Sequence, residues 1–171
     1  MKFVEAISEK TLKSTVSLTA ARGRGKSAAL GLAIAAAVGF GYSNIFVTSP
    51  SPENLHTLFD FVFKGFDALN YEEHLDYELI QSTNPEFNKA VVRVNIFHDH
   101  RQTIQYIHPG GFARNTGPIQ CAILILLCPG DAAKLSQAEL VVIDEAAAIP
   151  LPLVKALLGP YLVFMASTIN G

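Results

Sequence analysis

A short glycine-rich stretch in the first part of the sequence carries the residue types of a phosphate-binding loop. It reads R-G-R-G-K-S and differs from the P-loop pattern G-x-x-x-x-G-K-[ST] only at the first glycine, where the sequence has Ala20. Gly23 and Gly25 would let the backbone bend so that successive N–H groups point at phosphate oxygens. Lys26 would place an ammonium against the outer phosphates, and Ser27 would offer a hydroxyl to Mg²⁺.

The backbone donors for the phosphates are expected from the loop and the first turn of the helix after it, because a helix N-terminus carries a partial positive charge. The residues concerned are Gly23, Arg24, Gly25, Lys26, Ser27, Ala28 and Ala29. A glycine-rich helix start without a ligand would show a similar string. The same residues also fit the dinucleotide pattern G-x-G-x-x-A, but that pattern needs an acid at the end of the second strand. No acid follows that strand until Glu53.

A pair of acids far downstream gives an independent signal. The apolar run 140–143 ends in Asp144 and Glu145. In P-loop proteins, Mg²⁺ is held at such a strand end by the loop hydroxyl, here Ser27, and by the aspartate. The following glutamate can orient and deprotonate an attacking water. Solvated acids also end many strands, but together the two signals predict an ATP and Mg²⁺ site with Lys26 and Glu145 as catalytic residues.

The elements that must position these residues alternate between strands and helices. Strands are predicted at 14–20, 44–50, 90–97, 139–146 and 161–168, a helix at 26–38, and a second helix that Ser51 caps and Pro52 begins. Residues 69–89 read as polar and irregular. Near-continuous apolar strands separated by helices predict an α/β fold of P-loop NTPase type, a mainly parallel sheet with helices on both faces.

The composition and net charge restrict the class of protein to which the chain can belong. The 171 residues suit one domain; 50% are hydrophobic and only 16% charged, and the net charge of −2 gives no global basic field for nucleic acid. Two cysteines make neither a disulfide framework nor a zinc quartet, so a reducing, intracellular compartment is expected. The N-terminus lacks a secretory signal, and no apolar run reaches the roughly 20 residues that span a bilayer, so no membrane association is expected.

Three other features allow two interpretations each. His98 and His100 could hold a metal, but H-x-H supplies two ligands only, and a polar loop after a strand is favoured. The second helix carries Phe59, Phe61, Phe63 and Phe66; these could stack on bases, but their helical spacing favours a core position. Ser167 and Thr168 end a strand in the manner of a helicase S-A-T element, but small polar residues end many strands.

Several long stretches resemble the eukaryotic RNA cytidine acetyltransferase family. They are TAARGRGKSAALGLAIA, NIFVTSPSPENL, HRQTIQYIHP and LVVIDEAAAIPLPLVK followed by GPYLVFMASTING. The resemblance implies a large nucleolar enzyme that uses ATP and acetyl-CoA to acetylate cytidine in 18S rRNA and tRNA, in support of small-subunit ribosome biogenesis. It also implies a tRNA-binding adaptor and pre-ribosomal factors as partners, and a homodimer.

By the same resemblance, residues 1–171 are the first lobe of a helicase-type ATPase domain, and the acetyltransferase domain is absent from the chain. Residues 23–29 would hold the ATP phosphates, Ser27 and Asp144 would bind Mg²⁺, and Glu145 would activate water. The family has alanine where Ala20 stands.

Residues 110–130 depart from that resemblance. They include Cys121, Cys128 and the apolar decamer I-Q-C-A-I-L-I-L-L-C. Two origins are open for this segment: an insert from alternative splicing or a retained intron, and a lineage-specific loop. In either case we expect it to be an appended or poorly packed element.

Two further functions compete with an ATPase module. A catalytically inactive fragment would follow if the arginine of a second lobe is needed for turnover. A P-loop kinase for a small metabolite is disfavoured, because no arginine-rich lid is present and a kinase does not need the tandem acids.

Overall fold

The computed structural model describes residues 7, 14–23, 25–83, 85–107, 109 and 135–169. Within them lies a seven-stranded sheet in the order β1-β7-β6-β2-β5-β4-β3. The strands are β1 (Thr15–Ala20), β2 (Asn44–Thr48), β3 (Tyr77–Gln81), β4 (Val91–Ile96), β5 (Gln102–Tyr106), β6 (Leu140–Ile143) and β7 (Leu162–Thr168). The helices are α1 (Lys26–Gly39), α2 (His56–Ala68) and α3 (Leu151–Ala156), with 3₁₀ turns at Pro52–Leu55, Pro85–Phe87 and Ala146–Ala148.

Five of the strands run parallel and bring their carboxyl ends to one edge. β1 pairs with β7, β7 with β6, β6 with β2 and β2 with β5, all in parallel, while β4 and β3 extend the sheet in antiparallel fashion. The register sets Ala20 beside Thr168 and Thr48 beside Ile143. The residues that follow these strands therefore emerge together, which is where parallel α/β sheets bind ligands.

Alternation along β6 explains how both faces of the sheet are covered. All four of its residues are buried. Leu140 and Val142 belong to the apolar cluster under α1 and α2. Val141 and Ile143 belong to a second cluster that includes Val154 of α3. A strand that is buried on both faces reads as a continuous apolar run, which is the pattern the sequence shows.

Small residues allow α1 and α2 to pack closely. A Cβ atom added at Gly31 would lie 2.3 Å from the Leu58 carbonyl oxygen, and one at Gly65 would lie 2.3 Å from the Ala35 Cβ. Neither distance is compatible with a side chain, so glycine at both positions is a condition of this helix contact.

The predicted α/β fold with a mainly parallel sheet is confirmed, and all five predicted strands are present. Three elements were missed: β3 lies inside the segment 69–89, which the sequence analysis describes as irregular, and β5 and α3 were not predicted.

The predicted N-cap of the second helix was also wrong. A 3₁₀ turn opens at Pro52, and the backbone oxygen of Ser51 accepts from Asn54 N at 3.1 Å, while α2 begins only at His56, with no side-chain cap.

The physical reason for missing β5 is its polar first residue. Gln102 is buried, and its Nε2 donates to the carbonyl oxygens of Val38 (2.9 Å) and Tyr42 (2.8 Å) at the end of α1. A glutamine that resembles a loop residue therefore satisfies one carbonyl in the last turn of α1, that of Val38, and one in the segment just after it, that of Tyr42. The expectation for residues 110–130 lies outside the described residues.

Candidate functional site

The glycine-rich loop connects β1 to α1 and is shaped by two left-handed residues. Gly23 has φ 77° and Gly25 has φ 72°. Within the described part of the chain, an added Cβ would meet nothing within 4 Å at either position, so the backbone conformation requires glycine there. Gly25 is the N-cap of α1, and its carbonyl accepts the first helical bond, from Ala29 N at 2.9 Å. The N–H groups of the first helical turn face the loop, because a helix offers no carbonyl acceptors to its first N–H groups.

The predicted phosphate lysine is buried beside the loop. Lys26 is 8% exposed, and its Nζ donates to the carbonyl oxygens of Ala20 (3.0 Å) and Ala21 (2.9 Å). These two oxygens belong to the last residue of β1 and the residue after it. The ammonium is therefore held at the entrance of the loop by neutral acceptors, with no carboxylate among the contacts found for it in the described part of the chain.

The loop and the acidic strand end meet through a direct hydrogen bond. Ser27 Oγ donates to Asp144 Oδ2 at 2.7 Å across 117 residues of sequence. The other carboxylate oxygen of Asp144 accepts from the backbone N of Glu145 at 2.9 Å. Asp144 is only 1% exposed. Burial raises the pKa of the Asp144 carboxyl, and the hydrogen bonds from Ser27 and Glu145 oppose that rise without cancelling it.

Glu145 adopts a left-handed backbone conformation, with φ 51° and ψ 44°. Such a conformation is uncommon for a residue with a side chain and marks a position that its surroundings hold in place. Asn54 Nδ2 donates to Glu145 Oε2 at 3.4 Å. With Arg22 and Thr168, Glu145 lines an open groove at the carboxyl edge of the sheet.

The structure brings most of the predicted site residues into this groove. Its walls include Gly23, Gly25, Lys26, Ser27, Ala28, Asp144 and Glu145. Ala29 lies one position further along α1, and Arg24 lies outside the described residues. Residues separated by more than 100 positions are adjacent because β1 and β6 both flank β7.

Three residues near the site were not predicted there. Thr57 and Phe61 of α2 line the groove. Asn54, in the connection after β2, bonds Glu145. Phe59 and Phe66 are buried in the core, as helical spacing predicts, but Phe61 is half-buried and lines the groove, with Lys64 Nζ 4.4 Å from its ring centre. The signal that could have found Asn54 is its place just after β2, the neighbour of the strand that carries the acids.

The two histidines after β4 lie apart from the groove residues and have protein partners. His98 Nδ1 bonds Asp76 Oδ1 at 2.7 Å and its ring stacks on Tyr71, while His100 bonds Ser43 Oγ at 3.1 Å. Within the described residues, no three His, Cys, Asp or Glu side chains gather as a metal group. In the same part of the chain, no helix is long and apolar enough to cross a membrane.

Comparisons with known proteins agree on the family. A family model described as RNA cytidine acetyltransferase NAT10/TcmA, helicase domain, matches residues 17–171. The RNA cytidine acetyltransferase of Homo sapiens is 76% identical over 171 residues, and that of Saccharomyces cerevisiae is 69% identical over the same length. Each alignment covers 100% of this chain but only 15% and 14% of those proteins.

Solved structures with a similar fold include large terminases of bacteriophages. The large terminase ATPase domain of Thermus phage P74-26 superposes with a TM-score of 0.59 at 16% identity, over 99% of this chain and 64% of that one. The large terminase of another thermophilic bacteriophage gives 0.58 at 9% identity, over 97% of this chain and 37% of that one. At such identities the likeness concerns the fold alone, and it is a fold of P-loop type.

Proposed function

Because this chain belongs to the RNA cytidine acetyltransferase family and matches its helicase domain, we propose that it forms the ATP-binding and ATP-hydrolysing module of such an enzyme. The observation that carries the proposal is the 2.7 Å hydrogen bond between Ser27 and Asp144. It joins a glycine-rich loop to a buried acid at the carboxyl edge of a parallel sheet, the arrangement that P-loop NTPases use.

The residues present fit a nucleotide with Mg²⁺. A hydroxyl and a carboxylate that already touch are hard oxygen donors of the kind Mg²⁺ prefers. Ser27 and Asp144 would hold the ion, and the N–H groups of residues 23–29 would hold the phosphates, as the two left-handed glycines support. When bound, Mg²⁺ supplies positive charge against the phosphate oxygens.

The remaining chemistry belongs to two side chains. Lys26 would exchange its two backbone carbonyl acceptors for phosphate oxygens and so stabilise negative charge on them. Glu145 would orient a water molecule and accept its proton, because its carboxylate lines the groove beside the loop. These two residues are the proposed catalytic groups.

The wider role follows from the family. We propose that the full-length protein acetylates cytidine in 18S rRNA and tRNA with acetyl-CoA bound in another domain, and that ATP hydrolysis here supports that reaction by moving RNA or domains. The corresponding location is the nucleolus. Proposed partners are a tRNA-binding adaptor and pre-ribosomal factors, with a second copy of the enzyme in a homodimer. These proposals rest on the shared family, since the chain spans about 15% of the length of the relatives it matches.

Replacing Lys26 with alanine in a full-length protein that contains this chain tests the proposal. We expect ATP hydrolysis to fall at least about a hundredfold, because a charge that stabilises the phosphates is lost. ATP-dependent cytidine acetylation of RNA should fall with it. Lys155→Ala is the matched control, since Lys155 is exposed on α3, which packs against the other face of the sheet. Unchanged nucleotide affinity and unchanged acetylation in Lys26→Ala would overturn the proposal.

A further inference from the structure

The connection from β2 to α2 lies beside the acid pair because of the sheet register. β2 and β6 are neighbours, with Thr48 opposite Ile143. Asp144 N donates to the Thr48 carbonyl at 2.9 Å, so the pairing continues one residue beyond β6. Whatever follows β2 therefore stands next to Asp144 and Glu145.

That connection has a fixed backbone. Asn54 belongs to the 3₁₀ turn Pro52–Leu55, and its N–H donates to the Ser51 carbonyl at 3.1 Å. The Ser49 hydroxyl donates to the same carbonyl. Leu55 is fully buried in the core under the helices and anchors the end of the turn. The Asn54 side chain, which is exposed, thus extends from a main chain that is held in place.

Glu145 is held from two sides. Its backbone N–H is bound to Asp144 Oδ1 at 2.9 Å, which accompanies the left-handed φ of 51°. Its carboxylate accepts from Asn54 Nδ2 at 3.4 Å, a long bond of the kind that catalytic groups show before ligand binding. Main chain and side chain are thereby restrained by different elements, β6 and the β2–α2 connection.

We propose that Asn54 is a positioning residue for Glu145, an inference that rests on the ATP hydrolysis proposed above. The amide donor occupies Oε2 and limits rotation of the carboxylate, which leaves Oε1 as the acceptor for the proton of the attacking water. An asparagine side chain cannot itself take that proton at neutral pH, so its action passes through Glu145. The bond Asn54–Glu145 also ties the connection after β2 to the catalytic group.

The first experiment measures steady-state ATP hydrolysis by Asn54→Leu in a full-length protein that contains this chain. We expect kcat to fall about tenfold, the effect of losing one hydrogen bond to a charged group, with KM for ATP unchanged. The dissociation constant of a non-hydrolysable ATP analogue should also be unchanged. Asn54→Asp keeps the shape but replaces the donor with a negative charge, so its kcat should fall at least as far.

Asn95→Leu is the matched control. Asn95 Nδ2 donates to Glu78 Oε1 at 2.6 Å between β4 and β3, which is the same chemical pair away from the groove. Its loss should leave kcat unchanged. If Asn95→Leu lowers kcat as much as Asn54→Leu, or if both Asn54 variants hydrolyse ATP at the original rate, the positioning role is wrong.

A double-mutant cycle with Glu145→Gln separates the two proposals. If Asn54 acts through Glu145, Asn54→Leu should change kcat less than about twofold in the Glu145→Gln background. Effects that multiply would show that Asn54 acts elsewhere and would overturn the inference alone. Hydrolysis that survives Glu145→Gln unchanged would overturn the proposed role of Glu145, and with it the role of Asn54.

Discussion

Most polar side chains of the candidate site at the carboxyl edge of the sheet have hydrogen-bond partners. Lys26 donates to two backbone carbonyls, Ser27 donates to Asp144, and Glu145 accepts from Asn54. Burial of an unpaired charge would cost several kcal/mol, so the hydrogen bonds of Lys26 and Asp144 are what allow these two groups to be buried. Glu145 is half-buried and Asn54 is exposed. Phosphate binding at this edge would therefore replace existing hydrogen bonds with new ones. Lys26 is the residue that can exchange neutral backbone acceptors for phosphate oxygens.

Thr48 is a residue where the hydrogen bonding is incomplete. It is 1% exposed, and its Oγ1 has no hydrogen-bond partner among the residues that the structure describes. Valine has nearly the same shape without the hydroxyl. We expect Thr48→Val to leave the free energy of unfolding unchanged or to raise it by about 1 kcal/mol, because a buried unsatisfied polar group is removed. Urea denaturation measures the change.

Thr15→Val provides the control for Thr48→Val. Thr15 is exposed on β1, so its substitution reports the intrinsic preference of valine for a strand without the burial effect. A loss of more than about 1 kcal/mol in Thr48→Val alone would show that the hydroxyl has a stabilising partner.

At the scale of elements, the contact between α1 and α2 sets the groove wall that carries Phe61. We expect Gly31→Ala to lower the free energy of unfolding by about 2 kcal/mol, since the new methyl would lie 2.3 Å from the Leu58 carbonyl oxygen and 2.8 Å from the Phe61 Cβ. The helices must separate to admit it. Thermal or urea unfolding gives the measurement.

Gly39→Ala is the matched change in the same helix. At Gly39 the added Cβ would meet only Leu69 side-chain carbons, at 3.4 and 3.6 Å. Alanine also has the higher helix propensity, so this variant should be neutral or slightly more stable. Equal losses in the two variants would mean that glycine is needed in α1 for a reason other than the helix contact.

An element that is buried on all sides could be predicted from its sequence. A half-exposed strand or a very short helix could not. β6 is buried on both faces, so its apolar run alone identifies it. β3 is half-exposed: Tyr77 packs against Phe63 and Phe66, while Glu78 points to solvent. The polar residues of β3 obscure the strand pattern in the sequence. The strand forms by pairing with β4. α3 has six residues, which is too short for a helical period to stand out.

At the scale of the whole molecule, the groove is open at the carboxyl edge of the sheet. Helicase-type ATPases complete such a site with an arginine from a second lobe, and an arginine of that kind contributes about 10³-fold or more to turnover. We therefore expect the isolated 171-residue chain to hydrolyse radiolabelled ATP at least about a thousandfold more slowly than a full-length protein that contains it.

Nucleotide binding by the isolated chain is the companion measurement. Weak binding of a fluorescent ATP analogue, reduced further by Lys26→Ala, would show that the site is assembled but not complete. Turnover by the isolated chain equal to that of the full-length protein would contradict the expected need for a second lobe.

The fold class and the glycine-rich loop before a helix could be predicted from the amino-acid sequence alone. Gly23, Gly25, Lys26 and Ser27 lie within five consecutive positions, and their types predict a glycine-rich loop before a helix, in which both glycines are left-handed. The run ending in Asp144 and Glu145 identifies a buried strand with acids at its end. Local signals of this kind need no knowledge of distant contacts.

Only the tertiary structure decided which strand ends meet. β7 lies between β1 and β6, and β2 lies on the other side of β6, an order that depends on the packing of the whole sheet. That order, not the spacing in the chain, sets Ser27 2.7 Å from Asp144 and brings Asn54 to Glu145. The periodicity of apolar residues in a sequence indicates which residues are buried. It does not indicate which two strands lie side by side in the sheet.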